Sequence, residues 1–233
     1  MNSLDIVIPT HNRKNKLLHC IASIAQAIKS FNVNIYIYAS DSEELKEYSD
    51  LFKNDNNVIV DYHSYKKCSG FWNDHIKKMK ADAIMTCNDD VLFNQDTIEN
   101  IFKYYTKYFP NNDGVVGVNQ ANISDHLDSA FTIIGTKYAD KFPNRNVWCM
   151  DYHRFYGDKE LGEYAKSINK FYYCIEIKIT HLHPSTDIRQ LDNTHNSVRK
   201  WLNIDRRVYE MRKMRKLLYG RELELITKGN SNE

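Results

Sequence analysis

The chain has 233 residues, of which 42% are hydrophobic and 27% charged, a composition typical of a globular protein with a sizeable core. The formal net charge is only +2, and no apolar run approaches the ~20 residues needed to cross a bilayer, so we expect no transmembrane segment. The five cysteines are scattered without a Cys-x-x-Cys pair, which argues against a disulfide framework or a zinc site. A strand-like run begins almost at the N-terminus, so we expect no signal peptide and a cytoplasmic protein.

Strand and helix patterns alternate through the first half of the chain. Apolar runs typical of buried strands lie at residues 4–9, 33–39, 58–62, 83–87 and 115–118. Between them, segments such as 17–28, 70–79 and 97–108 repeat apolar residues at helical spacing. This alternation predicts an α/β fold, with a mostly parallel central sheet, helices on both faces and right-handed crossovers.

The pattern changes after about residue 120. Residues 131–135 indicate a strand of different orientation, and residues 158–167 indicate a short helix. Residues 171–175 and 178–180 are predicted to form two paired strands. From residue 196 to about 220 a long basic helix is predicted, and basic residues recur through the segment from Arg199 to Arg221.

The most informative stretch is Asn88-Asp89-Asp90, which directly follows the apolar run at residues 83–87. Two adjacent carboxylates at the end of a buried strand repel each other and are costly to desolvate, but a bound cation makes the arrangement favourable. The alternative is a polar turn before a helix, with Asn94 or Asp96 as the N-cap.

Two other polar segments follow strands of the predicted parallel sheet, at residues 9–13 and 40–41. Together with residues 88–90 they are expected at the carboxyl edge of the sheet, where open α/β folds bind nucleotides. The chain has neither a G-x-G-x-x-G fingerprint nor a Walker A loop, which disfavours a dinucleotide cofactor or a P-loop nucleotide.

Several motifs, in order along residues 4–184, resemble those of family 2 nucleotide-sugar glycosyltransferases. Residues 5–13, Asp-Ile-Val-Ile-Pro-Thr-His-Asn-Arg, followed by Leu-Leu at 17–18 and Ile-Ala-Ser-Ile at 21–24, are similar to the opening of that family. Residues 69–73 resemble its Gly and Asn segment, 88–91 its DxD motif, 157–161 its Glu-Asp-x-x-Leu segment, and 181–184 its late histidine motif. Two positions depart from the family pattern: Asn88 replaces the first Asp of DxD, and Gly157 replaces the Glu.

The resemblance implies a GT-A fold with a C-terminal helical extension. We expect a glycosyltransferase domain at residues 1–190, with a nucleotide-sugar half at about 1–120 and an acceptor half at about 120–190, and a basic helical extension at 191–233. It also implies a divalent cation, Mn²⁺ or Mg²⁺, held by Asp90 with His181 or His183. For both histidines the alternative is a neutral, hydrogen-bonded structural role.

The same resemblance assigns the remaining site residues. Donor nucleotide contacts are expected from Pro9, Thr10, Asn12, Arg13, Asp41, Gly70, Asn73, Asn88 and Asp89. Asp158 is the expected general base, with Asp151 as second choice, and Trp148, Tyr152 and Tyr156 are expected to form an acceptor platform. Asp41 and Asp158 are also good helix N-caps, and the aromatic residues could equally belong to the core.

These assignments predict a metal-dependent, inverting transfer of sugar from a nucleoside-diphosphate donor, a UDP-sugar, to an acceptor hydroxyl. The basic C-terminal segment favours an anionic acceptor: modified-base DNA of the phage type, which would place the enzyme in the host cytoplasm, or an envelope glycan. The alternative for that segment is a solvated amphipathic helix packed on the sheet.

Two other functions remain open from the sequence. A sugar-phosphate nucleotidyltransferase shares the sheet architecture, but it needs a glycine-rich loop after the first strand, and residues 9–12 contain no glycine. A non-catalytic nucleic-acid-binding module built around the basic helix would bind nucleic acid without any nucleotide sugar.

Overall fold

The computed structural model describes residues 3–64, 67–120, 130–183 and 191–218. The strands are β1 (Ser3–Pro9), β2 (Asn32–Ala39), β3 (Val58–Tyr62), β4 (Ala83–Thr86), β5 (Val91–Leu92), β6 (Val115–Gln120), β7 (Thr132–Gly135) and β8 (Phe171–His181). The α-helices are α1 (Lys14–Ala27), α2 (Ser42–Phe52), α3 (Cys68–Lys78), α4 (Thr97–Tyr108), α5 (Thr136–Ala139), α6 (Gly157–Ser167), α7 (Asn193–Val198) and α8 (Trp201–Met214).

The strands form one mixed sheet in the order β3-β2-β1-β4-β7-β6-β8-β5. The first four strands along the chain, β1 to β4, pair in parallel, as the alternation of strands and helices predicts. β7 runs antiparallel to both β4 and β6, so the predicted change of strand direction after residue 120 is also confirmed. The carboxyl ends of β1, β2 and β4 consequently lie side by side at one edge of the sheet.

Helices cover both faces of the sheet, because alternate strand residues point to opposite sides. In β1, Ile6 and Ile8 belong to a buried cluster that includes residues of α1, α2 and α4. The intervening Val7 belongs to a second cluster formed with α3, α5 and α6. The two clusters are the two layers of an α/β core, and they hold the strand ends rigidly in place.

The prediction of two paired strands at residues 171–180 is wrong. These residues form the single strand β8, which pairs in parallel with β6 and whose last residues pair with β5. Between Val118 and Asn119 the pairing partner jumps from Cys174 to Lys178, so three residues of β8 bulge out of register. Glu176 interrupts the apolar run within this bulge and so resembles a break in the sequence, although the strand continues beyond it.

The predicted long C-terminal helix is interrupted. It consists of the short helix α7 and the longer α8, and Arg221 lies outside the described residues. One face of α8 is buried, through Asp205, Tyr209 and Arg212, against residues that precede and begin α6. Among the helices described, none combines the length and apolar character required to span a bilayer.

Candidate active site

A cavity of about 530 Å³ lies beside the carboxyl ends of β1 and β4. Its wall combines strand-end residues of the sheet with the segment preceding α6 and with the C-terminal helices. The lining residues include Pro9, Arg13, Ser69, Trp72, Asn88, Asp90, Phe131, Trp148, Tyr152, His153, Arg154, Phe155, Asp158, His181, His183, Leu191, His195, Arg199 and Leu202. The predicted metal residues and the predicted base Asp158 therefore line one space, although they are far apart in the chain.

A smaller cavity of about 110 Å³ adjoins the first, at the ends of β1 and β2. Aromatic rings form much of its wall: Tyr38, His63 and Phe71. Four residues line both cavities and so mark their junction: Pro9, Arg13, Asn88 and Arg154. Two of these four are arginines: Arg13 pairs with carboxylates, whereas Arg154 is exposed and is the one suited to meet an anionic group.

The two adjacent carboxylates meet a buried arginine rather than water. Arg13 Nη1 lies 3.0 Å from both Asp89 Oδ1 and Asp90 Oδ2. Burial and the neighbouring Asp90 charge raise the pKa of Asp89 to about 6, despite the opposing effect of Arg13. Burial also opposes ionisation of Asp90, but His181 and Arg13 outweigh it and lower its pKa to about 2. Asp90 is therefore the permanent anion of the pair.

Asp90 and His181 form the arrangement that a cation would complete. His181 Nδ1 lies 3.0 Å from the amide oxygen of Gln120 and donates to it, which leaves Nε2 as an electron-pair donor. That Nε2 atom lies 3.2 Å from Asp90 Oδ1, and neither of these buried atoms has another hydrogen-bond partner among the described residues. Neighbouring ligands of an octahedral ion at ~2.1 Å are about 3 Å apart, so this pair fits Mg²⁺ or Mn²⁺.

His183, the other histidine predicted as a metal ligand, lies beside this pair. Its ring centroid is 5.0 Å from that of His181 and 5.2 Å from that of His195. Burial, and then the neighbouring histidines, lower the pKa of His183 to about 4, so the ring is neutral at physiological pH. A neutral imidazole is the form that binds metals.

Helix α7 also lies at the carboxyl edge of the sheet, a position that the sequence did not predict. Asp192, its N-cap, lies 3.0 Å from Arg13 Nη2 and 3.2 Å from Lys16 Nζ. His195 Nε2 lies 3.7 Å from Asp90 Oδ2. In the sequence, Asp192 followed by His195 indicates only a helix cap, and no local signal connects these residues with a partner about 180 positions earlier.

The predicted donor residues divide into two groups. Pro9, Thr10, Arg13, Asn88 and Asp89 line one or both cavities. Thr10 Oγ1 donates to Asp89 Oδ2 at 2.9 Å, so the loop at residues 9–13 is hydrogen-bonded to the segment at residues 88–90. The other predicted donor residues, Asn12, Asp41, Gly70 and Asn73, are not among the cavity-lining residues.

The contacts of this second group are structural. Asn73 donates to the carbonyl of Trp148 and accepts from its N–H. Asp41 caps α2 by accepting from the N–H groups of Glu43 and Glu44. Asn12 has left-handed backbone, with φ 55°, and its N–H donates to Glu44. The prediction of a nucleotide contact gains no support from the cavity walls at these positions.

His11, Asp41 and Glu44 place three possible ligand atoms close together. Their bonding accounts for this proximity without an ion. Asp41 is the helix cap, and Glu44 accepts from Ser40 and Asn12. The cluster is therefore explained by the start of α2.

The two candidate bases have different surroundings. Asp158 lines the larger cavity and lies in the first turn of α6, where its Oδ1 accepts from the N–H of Lys159. The helix N-cap is Tyr156, so the prediction that Asp158 could be the cap is wrong. Asp151 is absent from the cavity wall, and its side chain pairs with Arg212 at 2.8 Å. Of the two, only Asp158 is placed to meet a substrate.

The aromatic residues predicted for the acceptor side also fall into two groups, inside and outside the cavity wall. Trp148 and Tyr152 are almost fully buried and line the larger cavity. Tyr156 is not part of that wall; its ring stacks on Tyr209 of α8, with centroids 5.2 Å apart. An acceptor-platform role for Tyr156 is therefore not supported by its position, because the ring faces the C-terminal helix.

Arg212 is not the solvent-facing cation that the basic segment suggests. Its guanidinium binds both carboxylate oxygens of buried Glu160, each at 3.0 Å, and also pairs with Asp151. Glu160 additionally accepts from the hydroxyl of Tyr152. The expectation that Arg212 meets an anionic acceptor is wrong, because its charge is neutralised within the fold.

Comparison with known proteins identifies a family. Residues 5–166 match the family model described as glycosyl transferase family 2. S. aureus TarS 1-349 has a similar structure, with TM-score 0.57, 13% identity and coverage of 82% of this chain and 63% of that chain. TarS 1-349 in complex with UDP-GlcNAc gives TM-score 0.59, 11% identity and coverage of 77% and 57%. The chain thus spans less than two thirds of these neighbours, and a comparison with curated proteins gave no match.

Proposed function

The chain belongs to glycosyl transferase family 2, and we propose that this glycosyltransferase takes its sugar from a UDP-sugar and delivers it to an acceptor hydroxyl. One observation carries the proposal: Asp90 Oδ1 and His181 Nε2, which have no other hydrogen-bond partner among the described residues, lie in the wall of the larger cavity beside its junction with the smaller one. That juxtaposition suits a metal-bound diphosphate flanked by a nucleoside on one side and a sugar on the other.

The smaller cavity is the proposed nucleoside site. The rings of Tyr38, His63 and Phe71 offer apolar faces to a base, and aromatic contacts with bases contribute roughly 1–3 kcal/mol each. Arg13 and Arg154 at the junction would then contact the diphosphate. The choice of uridine is supported by the solved TarS complexes with UDP and with UDP-GlcNAc, which share the fold.

Asp90 and His181, with His183 adjacent, are the proposed ligands of Mg²⁺ or Mn²⁺. Such an ion supplies positive charge that stabilises the diphosphate as it leaves. Arg13 has a related role, because its guanidinium offsets part of the negative charge of Asp89 and Asp90 and borders the junction. Asn88, which replaces the first Asp of the family motif, lines both cavities and would contact the donor through its amide.

Asp158 is the proposed general base, in agreement with an inverting transfer. A carboxylate in the first turn of a helix is stabilised in its charged form, so it is ready to accept a proton at neutral pH. It would take the proton of the acceptor hydroxyl as the oxygen attacks the sugar, from within ~2.6–3.2 Å of that oxygen. Trp148 and Tyr152 would border the sugar and acceptor on the same wall.

We further propose an anionic acceptor, because Arg199 of the basic C-terminal segment lines the larger cavity. Modified-base DNA and a phosphate-containing envelope glycan both meet this requirement. Transfer of radiolabelled sugar to one and not the other, with a salt-dependent KM, separates the two.

The test is to incubate the protein with a panel of nucleotide sugars and Mn²⁺ and to measure the release of nucleoside diphosphate. We expect UDP release from at least one UDP-sugar and its loss in EDTA. Release of pyrophosphate from a nucleoside triphosphate and a sugar phosphate would instead establish a nucleotidyltransferase. Turnover that is unaffected by EDTA would contradict the metal site at Asp90.

A further inference from the structure

Asp205 of α8 is a fully buried carboxylate that holds a segment of the active-site wall. Its oxygens accept hydrogen bonds from three consecutive backbone N–H groups: His153 at 2.9 Å, Arg154 at 2.8 Å and Phe155 at 2.9 Å. His153 Nδ1 adds a fourth contact, at 3.1 Å. Hydrogen bonds to a charged acceptor are stronger than neutral ones, so this turn is fixed to α8.

Neighbouring residues of α8 extend the attachment in both directions. Trp201 stacks on the ring of His153, with centroids 3.9 Å apart and planes 5° from parallel. Arg206 Nε donates to the hydroxyl of Tyr156, whose backbone is left-handed, with φ 69°. A non-glycine residue in that region is strained, and it persists only where its surroundings hold it. The contacts of Tyr156 with α8 provide such support.

The segment that α8 holds is the one that lines the cavities. Residues 153–155 all border the larger cavity, and Arg154 also borders the smaller one. Asp205 itself is absent from both walls. An effect of Asp205 on a ligand at the junction would therefore act through this turn, in which Arg154 is the residue that borders both cavities.

We propose that Asp205 is a positioning residue, which holds the turn at residues 153–155 so that Arg154 faces the diphosphate of the donor at the junction of the two cavities. α8 lies outside residues 5–166, which match the family model, so this chain would complete its donor site with a C-terminal helix of its own. The inference rests on the proposed function, because it assumes a nucleoside diphosphate at the junction.

The test is a double-mutant cycle on the full chain, with UDP and Mn²⁺ as the probe and the dissociation constant of UDP as the measured quantity. Asp205→Asn keeps the size of the side chain, but its amide NH₂ faces backbone donors that need an acceptor. We expect a roughly tenfold weaker affinity for UDP in Asp205→Asn and in Arg154→Ala, corresponding to the loss of one hydrogen bond to a charged group. Glu210→Gln, a matched acid-to-amide change at an exposed position of α8, should bind UDP as wild type does.

The cycle separates positioning from a general loss of structure. If Asp205 acts through Arg154, then Asp205→Asn in the Arg154→Ala background should cause no further loss of affinity. Additive losses, or wild-type affinity in Asp205→Asn, would overturn the inference. Should Asp205→Asn fail to fold, the exposed Arg154→Ala remains decisive, because unchanged UDP affinity in that variant also overturns it. A wild type that binds no UDP would instead overturn the proposed function, and the inference with it.

Discussion

Buried acidic residues occur at the strand ends that line the larger cavity and behind the segment that precedes α6, but these residues are paired in different ways. At the strand ends, Asp90 Oδ1 and His181 Nε2 face each other, and neither atom has another hydrogen-bond partner among the described residues. Behind the cavity wall, Glu160 and Asp205 have their oxygens occupied by Arg212, Tyr152 and backbone N–H groups. Buried polar atoms are almost always satisfied, so an incompletely satisfied pair in a cavity wall is where a ligand would complete the site. The fully hydrogen-bonded carboxylates instead stabilise the fold.

The largest expected effect concerns Asp158, the proposed general base. Asp158→Asn keeps the shape of the side chain but removes its capacity to accept a proton. We expect kcat for sugar transfer to fall by roughly 10²–10⁴-fold, while the affinity for UDP stays unchanged. The measurement is initial-rate kinetics with the UDP-sugar that the panel identifies.

Asp151→Asn is the matched control, because Asp151 pairs with Arg212 and does not line the cavity. We expect its kcat to remain close to that of the wild type. A larger catalytic defect in Asp151→Asn than in Asp158→Asn would transfer the role of base to Asp151.

A change at Arg212 tests the interpretation that the buried ion pair behind the cavity wall stabilises the fold. Arg212→Met leaves the buried carboxylate of Glu160 without its charge partner, and breaking a buried pair typically costs about 3–5 kcal/mol. We expect a correspondingly large fall in the free energy of unfolding, measured by chemical denaturation. Arg207→Met makes the same change at an exposed position of α8, and it should alter stability little. Equal effects of the two substitutions would show that the contact with Glu160 does not stabilise the fold.

The sequence predicted which residues meet at the sheet edge, but not the contacts of the segment that precedes α6, and the reason is physical. Thr10, Arg13 and Asp90 follow adjacent parallel strands, and the ends of such strands must lie together at one edge of the sheet. The partners of the segment before α6 come from α8, about 50 residues later, and no periodicity specifies that contact. A buried Asp205 in a basic helix has the local pattern of a solvated residue.

Two other predictions show the same limit. β8 was divided into two strands because Glu176 interrupts its apolar run within the bulge. Asp41 was assigned to the nucleotide because it follows a strand at the correct edge, and the structure adds that its Oδ1 accepts from the first turn of α2. In both cases the local pattern is correct, and the long-range contact decides what it means.

The smallest expected effect comes from Asp41, which follows β2 at the same sheet edge as Asp90 but caps α2. Asp41→Asn should retain both UDP affinity and stability, because asparagine caps helices about as well as aspartate does. Isothermal titration with UDP and a thermal melt check both expectations. A strong loss of UDP affinity would show that Asp41 contacts the nucleotide.

The most direct test of the donor site is the Mn²⁺ dependence of UDP binding, measured by isothermal titration for the wild type and for Asp90→Asn. The account predicts that Mn²⁺ strengthens binding to the wild type, and that Asp90→Asn, which retains the side-chain shape, loses that enhancement. UDP binding to the wild type that is identical with Mn²⁺ and with EDTA, or a full Mn²⁺ effect in Asp90→Asn, would contradict the assignment of Asp90 and His181 as the metal-binding pair.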